Sequence, residues 1–245
     1  MRYALLLSAG LCFFSTACRR PDDGLNNMLT AARPELVDRL KVLHVTGDLG
    51  NKASGYPVSK TMGVTSSHLV DGSSSTVAVD GRPMIAALCM PYRSFNETKP
   101  VPSRKDWRIL GNVQNSERFE PNVIDPKVDL KIGGKVYLGG FPLVYRKCTP
   151  KEFLRMKPLV LEGTIVELDA KQEEWSGLVL VQVPEARYGG FSGGPAAVID
   201  DAGNIRVWGT IVHQGYLSYG WFHREYVLCV APLPRDFMDL QAGQR

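Results

Sequence analysis

Beyond residue 45, hydrophobic residues come in short runs that turn residues separate. The run 76–79 leads directly into Asp80-Gly81, a dipeptide that favours a two-residue hairpin turn. A second hairpin is predicted around the Asp-Ala-Gly-Asn turn at 201–204, which lies between runs rich in Val and Ile. Further strands are predicted over 134–140, 159–168 and 178–183. Many short strands joined by turns favour an all-β fold, either a sandwich or a pair of barrels.

The residues before this region have a different pattern. Leucines and a valine between 36 and 43 fall at helical spacing, which predicts a short amphipathic helix or a first strand over 35–45. Residues 18–34 are mainly polar and contain proline and glycine, so we interpret them as a tether. The folded part of the chain is therefore expected to begin near residue 35.

The N-terminal residues predict export. Arg2 precedes an apolar run over 3–14, which is too short to span a bilayer because a helix needs about 20 apolar residues for that. The arrangement is typical of a secretory signal, predicted here over 1–17. Small residues leading into Cys18 resemble a bacterial lipobox, which implies a lipidated Cys18 and an exported, membrane-anchored lipoprotein on the periplasmic or cell-surface side. Ordinary signal cleavage after Ala17 is the alternative.

Composition excludes several classes of protein. The chain has 245 residues, is 44% hydrophobic and 22% charged, and carries a formal net charge of +4. These values are typical of soluble globular proteins and argue against a disordered chain or a polytopic membrane protein. The small positive surplus gives no reason to predict nucleic-acid binding.

The cysteines allow at most one intramolecular disulfide in the mature chain. Cys12 lies in the predicted signal and Cys18 is the lipidation candidate, which leaves Cys89, Cys148 and Cys229. The sequence does not choose which two of these three would pair. It contains neither a C-x-x-C motif nor a cluster of His and Cys, so no metal site is predicted.

Residues 190–195, Gly-Phe-Ser-Gly-Gly-Pro, form the most informative stretch. Glycines on both sides of Ser192 allow a tight turn that exposes the hydroxyl and directs backbone N–H groups towards one point. The nucleophile elbow of α/β-hydrolases shares this G-x-S-x-G pattern but requires a helix directly after the serine. Pro195 and the Val/Ile run beyond it disfavour that helix, and little chain remains for the elbow's Asp and His partners. An esterase on that fold is therefore disfavoured.

The same stretch resembles the G-D-S-G-G-P signature of chymotrypsin-like serine proteases at five of six positions. Four other stretches resemble this family in the family's order. Thr-Ser-Ser-His, ending at His68, is similar to its T-A-A-H motif, and Asp-Trp-Arg-Ile-Leu, starting at Asp106, to its D-x-A-[IVL]-L motif. Residues 130–142 resemble the segment that opens the second barrel in bacterial members, and 209–215 the strand after the serine. The resemblance covers residues 45–232.

This resemblance implies an all-β fold of two β-barrels with the active-site cleft between them. The first barrel is expected over 35–125 and the second over 126–245. The resemblance further implies a serine endopeptidase that acts on polypeptide substrates and needs neither a metal nor an organic cofactor. The second hypothesis, from another functional class, is a catalytically silent protein-binding module on the same fold.

The resemblance also assigns roles to individual residues. Ser192 is the expected nucleophile, and His68 the general base that removes its proton, because imidazole is suited to proton transfer near neutral pH. Asp106 would orient the imidazole and stabilise its charged form. The backbone N–H groups of Gly190 and Ser192 would form the oxyanion hole.

Neighbouring residues offer alternatives for the aspartate. Asp125 and Asp129 would replace Asp106 if the alignment were displaced. However, Asp125 precedes a proline, and Asp129 lacks the apolar run that would bury it. Three other histidines occur in the chain, but only His68 follows a Thr-Ser-Ser turn. We therefore expect His68 and Asp106 to form the pair.

Two residues depart from the family's pattern. Phe191 stands where animal proteases carry an aspartate that pairs with a newly freed N-terminus, so activation of that kind is not expected here. Arg108 stands where the family has a small residue, which predicts altered packing beside the aspartate.

The expected substrate pocket rests on counting along the chain. In this family the base of the pocket lies about six residues before the serine, which gives Ala186, with Glu185 and Arg187 as neighbours if the loop is displaced by one residue. The wall would carry His213, Gln214 and Gly215. Without a buried carboxylate, a substrate Lys or Arg at the P1 position, directly before the cleaved bond, is disfavoured. At P1 we expect Glu, Gln or a small apolar residue instead.

Overall fold

The computed structural model describes residues 23–47, 50–69, 75–87, 106–112, 119–142, 149–172, 175–219 and 223–237. The predictions of a signal over 1–17, of lipidation at Cys18 and of a disulfide involving Cys89 or Cys148 fall outside these residues. Cys229 is described and is a buried, free thiol. None of the helices in the described ranges is long and apolar enough to cross a membrane.

The regular secondary structure of the described residues is mainly β-strand. The strands are β1 (Leu43–Thr46), β2 (Lys52–Pro57), β3 (Met62–Thr65), β4 (Ser75–Val79), β5 (Arg82–Ala87), β6 (Arg108–Asn112), β7 (Lys135–Gly140), β8 (Leu159–Glu167), β9 (Val179–Gln182), β10 (Pro195–Ile199), β11 (Ile205–Tyr219) and β12 (His223–Pro232). The helices are α1 (Asp23–Thr30), α2 (Pro150–Phe153) and two 3-10 helices, Pro34–Leu36 and Ser67–Leu69.

The strands close into two antiparallel barrels. The first barrel has the order β1-β2-β3-β6-β5-β4, and β1 closes it by pairing with β4 at Val45 and Val79. The second has the order β7-β8-β9-β12-β11-β10, and β10 closes it by pairing with β7 at Ala196 and Leu138. The predicted double β-barrel is therefore confirmed.

Local backbone conformation and local hydrogen bonds shape the turns of the two predicted hairpins. Asp80 and Gly81 have φ of 48° and 81°, as a two-residue turn with the twist of the flanking strands requires. Between β10 and β11 the carboxylate of Asp200 accepts hydrogen bonds from the N–H groups of Ala202 and Asn204. The backbone bond to Asn204 and the bond from Arg206 lower the pKa of Asp200 to about 2.

The segment before β1 is packed against the second barrel. Helix α1 buries Met28 to 1% exposure, and the N–H of Arg33 donates to the carbonyl of Val160 on β8 at 2.7 Å. The described part of the predicted tether, residues 23–34, therefore differs from the expectation. The reason is that Met28 supplies a buried apolar anchor within this stretch.

The interface between the barrels is itself part of the hydrophobic core. One cluster joins buried residues of the first barrel, such as Tyr56 and Ile109, to buried residues of the second, such as Leu180 and Val207. Phe237, beyond β12, contacts Trp107 edge to face with ring centroids 5.4 Å apart. Burial of this apolar surface holds the barrels together, so groups on the two barrels face one another at fixed separations.

Candidate active site

Strand register brings His68 and Asp106 together. Thr65 at the end of β3 is paired with Arg108 at the start of β6. His68 lies three residues after Thr65, in the 3-10 helix, and Asp106 lies two residues before Arg108. Because the strands are antiparallel, the residues that extend beyond this pair leave the barrel at the same end.

Asp106 holds both the backbone and the ring of His68. One carboxylate oxygen accepts the backbone N–H of His68 at 2.9 Å, and the other lies 2.7 Å from Nδ1 of the ring. A carboxylate only accepts hydrogen bonds, so Nδ1 carries the proton and Nε2 is directed away from the aspartate. Asp106 is 2% exposed, whereas the side chain of Asp129 is 83% exposed beside Lys131. Asp106 is thus the aspartate that faces His68.

The serine lies in a tight turn just before β10. Gly190 and Gly193 adopt φ of +90° and +84°, a region that residues with a side chain rarely adopt. Gly193 has no room for a side chain either, because an added Cβ would lie 2.1 Å from the carbonyl oxygen of Ser54 on β2. The two glycines are therefore required by the turn that presents Ser192, as the sequence predicts.

His68, Asp106 and Ser192 line one cavity of about 270 Å³ between the barrels. Ser192 is half-buried at its wall. Among the described residues, no hydrogen bond joins Ser192 Oγ to His68. The structure thus brings the three predicted side chains to one site and bonds two of them to each other.

The backbone of the turn leaves two N–H groups available. The N–H groups of Phe191, Gly193 and Gly194 donate to backbone carbonyls at distances of 3.1, 2.7 and 2.9 Å. Within the described part of the chain, those of Gly190 and Ser192 have no acceptor. These are the two donors that the sequence assigns to an oxyanion hole.

The unexpected phenylalanine of the motif fills a gap in the second barrel. Phe191 is fully buried, and its ring lies over Gly140 so closely that a Cβ there would be 2.5 Å from it. Tyr188 contacts the same ring edge to face at 5.6 Å between centroids. Apolar packing therefore holds the turn at this position. Arg108, the other departure, is also buried, at 6% exposure.

Two of the four residues predicted for the substrate pocket lie at the cavity. His213 and Gln214 line the cavity, but Ala186 and Gly215 do not. Ala186 is buried in the second-barrel core beside helix α1, where a Cβ on Gly24 would lie 3.7 Å from its Cα. Gly215 is covered by Trp175, whose ring would be 2.5 Å from a Cβ added there. Counting six residues back from the serine does not reach the cavity, because the chain there passes through the core.

Tyr188 lines the cavity instead, which sequence reasoning missed. Its N–H donates to the side-chain carbonyl of Gln214 at 2.7 Å, and its hydroxyl donates to the carbonyl of Pro184 at 2.5 Å. Burial raises the pKa of Tyr188, so this hydroxyl stays neutral. An aromatic residue four positions before the serine was the available signal. The remaining lining residues are Gly189 and three with apolar side chains, Ile211, Val212 and Leu228.

Comparisons with known proteins support the fold. No protein-family model and no curated protein matches the chain. Among solved structures, an inactive serine-to-alanine variant of Rv3671c from M. tuberculosis H37Rv has a TM-score of 0.50 at 18% identity, covering 92% of this chain and 97% of that one. The Rv3671c protease in an inactive form gives 0.46 at 19% identity, covering 87% and 95%.

A third similar structure is the MamO protease domain from Magnetospirillum magneticum. Its TM-score is 0.48 at 20% identity, and the match covers 79% of this chain and 93% of that one. At such identities the comparisons show the fold alone, a double β-barrel.

The packing of Phe191 predicts how substitutions there affect stability. Phe191→Ala should lower the free energy of unfolding by about 3–5 kcal/mol, because it removes a fully buried ring from a tightly packed site. Phe191→Asp should cost more, because it buries a charge in apolar surroundings. Urea unfolding followed by fluorescence measures both. Ile132→Ala, at a residue that is 67% exposed, is the control and should change stability by no more than about 0.5 kcal/mol. A Phe191→Ala cost near that of the control would contradict the packing argument.

Proposed function

We propose that the chain is an exported, trypsin-like serine endopeptidase. The observation that carries this proposal is the bond of 2.7 Å between His68 and Asp106 in a cavity that Ser192 also lines. The first barrel supplies the proton-transfer pair and the second supplies the hydroxyl, so the reaction takes place where the barrels meet.

The proposed mechanism follows from the protonation pattern of this pair. Nε2 of His68 takes the proton of Ser192 as Oγ forms a bond to the substrate's carbonyl carbon. Asp106 keeps Nδ1 protonated and stabilises the imidazolium that results. His68 then gives the proton to the leaving amine as the peptide bond breaks, which leaves an acyl-enzyme on Ser192. Water, activated by His68 in the same way, hydrolyses that ester.

The oxyanion formed in each half of the reaction needs hydrogen-bond donors. The N–H groups of Gly190 and Ser192 have no acceptor within the described residues, so no bond has to break before they can bind the oxyanion. One such donor contributes about 3 kcal/mol to stabilising the transition state.

An extended polypeptide fits the strand beside the cavity. The N–H and C=O of Ile211 bond to the serine turn, and β11 continues from there to Tyr219. Beyond Ile211, β12 is the only described strand that pairs with β11. We propose that a substrate backbone pairs with the other edge of β11, as in strand-addition binding of peptides.

The residues around the cavity favour a neutral or acidic P1 side chain. Among the described residues, three of those that line the cavity are apolar, and Asp106, the one carboxylate there, is committed to His68. Glu185 lies outside the lining and accepts a hydrogen bond from Tyr226. A substrate Lys or Arg would therefore enter without a partner carboxylate, which is unfavourable. His213 and the amide NH₂ of Gln214 are donors for a Glu or Gln side chain.

The alternative is a catalytically silent protein-binding module on the same fold. The observation that favours it is that Ser192 Oγ makes no hydrogen bond to His68 among the described residues. Such bonds are often long in proteases without substrate and shorten in the complex. A reactive-serine probe distinguishes the two functions.

We also propose that the mature chain is a lipoprotein attached to a membrane through Cys18, on the periplasmic or cell-surface side. The support is the apolar run over 3–14 followed by small residues that lead into the cysteine. A lipid on Cys18 would place the barrels a short distance from the membrane surface.

The first test is labelling by an active-site phosphonate combined with peptide hydrolysis. Ser192→Ala should abolish labelling and lower kcat by a factor on the order of 10⁶, with His68→Ala similarly severe. Asp106→Asn should lower kcat by about 10⁴, because the asparagine no longer holds the imidazole in the tautomer protonated at Nδ1. Ser176→Ala, at an exposed serine outside the cavity and outside β11, is the control and should keep full activity. Unlabelled wild-type protein with no hydrolysis would favour the binding module.

The second test is P1 specificity, measured with a fluorogenic peptide library varied at that position. Cleavage after Lys or Arg should be weak, because the described part of the chain places no free carboxylate in the cavity. Glu, Gln or a small apolar residue should be preferred, and His213→Ala should weaken cleavage after Glu more than cleavage after the apolar residue. Dominant cleavage after Lys or Arg would refute this description of the cavity.

The third test concerns membrane attachment. Cys18→Ser should move the exported protein from the membrane fraction to the soluble fraction, because it removes the thiol that carries the lipid. Cys12→Ser, within the predicted signal, is the matched control and should leave the protein in the membrane fraction. Mass spectrometry of the N-terminal peptide checks for the lipid. A Cys18→Ser protein that stays in the membrane, with no lipid mass on wild-type peptide, would rule out the lipobox interpretation.

A further inference from the structure

Ser54 connects the first barrel to the serine turn of the second. It lies on β2 and is fully buried. Its backbone N–H donates to the carbonyl of Ser192 at 2.9 Å, and its hydroxyl donates to the carbonyl of Gly190 at 2.6 Å. The carbonyls of the two residues that flank Phe191 are thus both acceptors for one residue on the opposite barrel.

The hydroxyl of Ser54 has a second partner that fixes its direction. Its oxygen accepts the N–H of Phe141, just after β7, at 3.0 Å. A hydroxyl that donates one hydrogen bond and accepts another has little rotational freedom left. The carbonyl of Ser54 is also engaged, since it accepts from Thr65 Oγ1 at 2.8 Å. Every polar atom of Ser54 is therefore bonded.

We infer that Ser54 is a positioning residue for catalysis, acting through the Gly190 carbonyl to hold the oxyanion donors in place. This inference rests on the proposed function. Gly190 has φ of +90° and no side chain, so its neighbours alone restrict its backbone weakly. Along the chain, the N–H of Gly190 precedes the carbonyl that Ser54 binds, and the N–H of Ser192 follows it. Loss of this bond lets the carbonyl rotate and misaligns the two donors.

The side chain of Ser54 can be tested separately from its backbone. An alanine at this position keeps the backbone N–H that donates to Ser192. It also keeps the backbone carbonyl that packs against Gly193. It removes only the oxygen between Gly190 and Phe141. Phe191 continues to anchor the turn by apolar packing, so the barrels remain docked while the hydrogen-bond donors lose their alignment.

The experiment compares Ser54→Ala with Tyr56→Phe. Tyr56 is two residues along β2, is fully buried and makes its own bond across the barrels, to Thr210 Oγ1 at 2.8 Å. The two variants should lower the melting temperature by similar amounts, because each loses buried hydrogen bonding. Ser54→Ala should lower kcat and the rate of phosphonate labelling by about 10- to 100-fold, with KM nearly unchanged. Tyr56→Phe should keep both rates within about 2-fold of wild type.

Each outcome decides the inference. A Ser54→Ala protein that is labelled at the wild-type rate would overturn it, as would an equal slowing by Tyr56→Phe, which would show a general effect of barrel docking. Wild-type protein that is not labelled would overturn the proposed function together with this inference. Should Ser54→Ala not fold, Ser54→Cys places a weakly hydrogen-bonding thiol there, and labelling several-fold slower than wild type is expected. A wild-type rate in Ser54→Cys would then overturn the inference.

Discussion

The contact of the serine turn with strand β2 is the constraint on which the rest of the site depends. The Gly193 position fits the first barrel with no space for a Cβ, which would lie 2.1 Å from the Ser54 carbonyl oxygen and 2.4 Å from Thr65 Oγ1. Thr65 is also the last residue of β3, three positions before His68. The same few atoms therefore fix the position of the serine turn and the start of the histidine segment. A shift of either barrel would therefore displace both the serine turn and the start of the histidine segment.

The two halves of the site are stabilised by different kinds of interaction. Antiparallel register within the first barrel is sufficient to bring His68 to Asp106, and burial of the carboxylate at 2% exposure makes its hydrogen bonds to His68 necessary. The alignment with Ser192 needs the interface between the barrels. That interface consists of buried apolar residues of both barrels, such as Ile109 and Leu180. The reactive geometry is therefore a property of the pair of barrels and not of either one.

Sequence predicted most of what depends on local pattern. The hairpin at Asp80-Gly81 and the turn that presents Ser192 follow from the left-handed backbone each requires, and the strands follow from their Val- and Ile-rich runs. The cavity wall was harder to predict. Ala186 was placed by counting, whereas the structure buries it in the core, and Tyr188 was missed because its place depends on a bond to Gln214 from another segment. Contacts between distant segments leave little trace in a single sequence. Ser54 was missed for the same reason, since nothing marks one buried serine on a strand.

Phe191 shows how the turn is held without an ion pair. In the animal proteases that the motif resembles, an aspartate at this position needs a charged partner, and the partner is created by cleavage of the chain. Here a buried ring over Gly140 and the neutral bonds of Ser54 act at the same turn. None of these contacts depends on protonation or on a new N-terminus. The turn can therefore take its shape as the barrels fold, and ionisation enters the proposed chemistry only through His68 and Asp106.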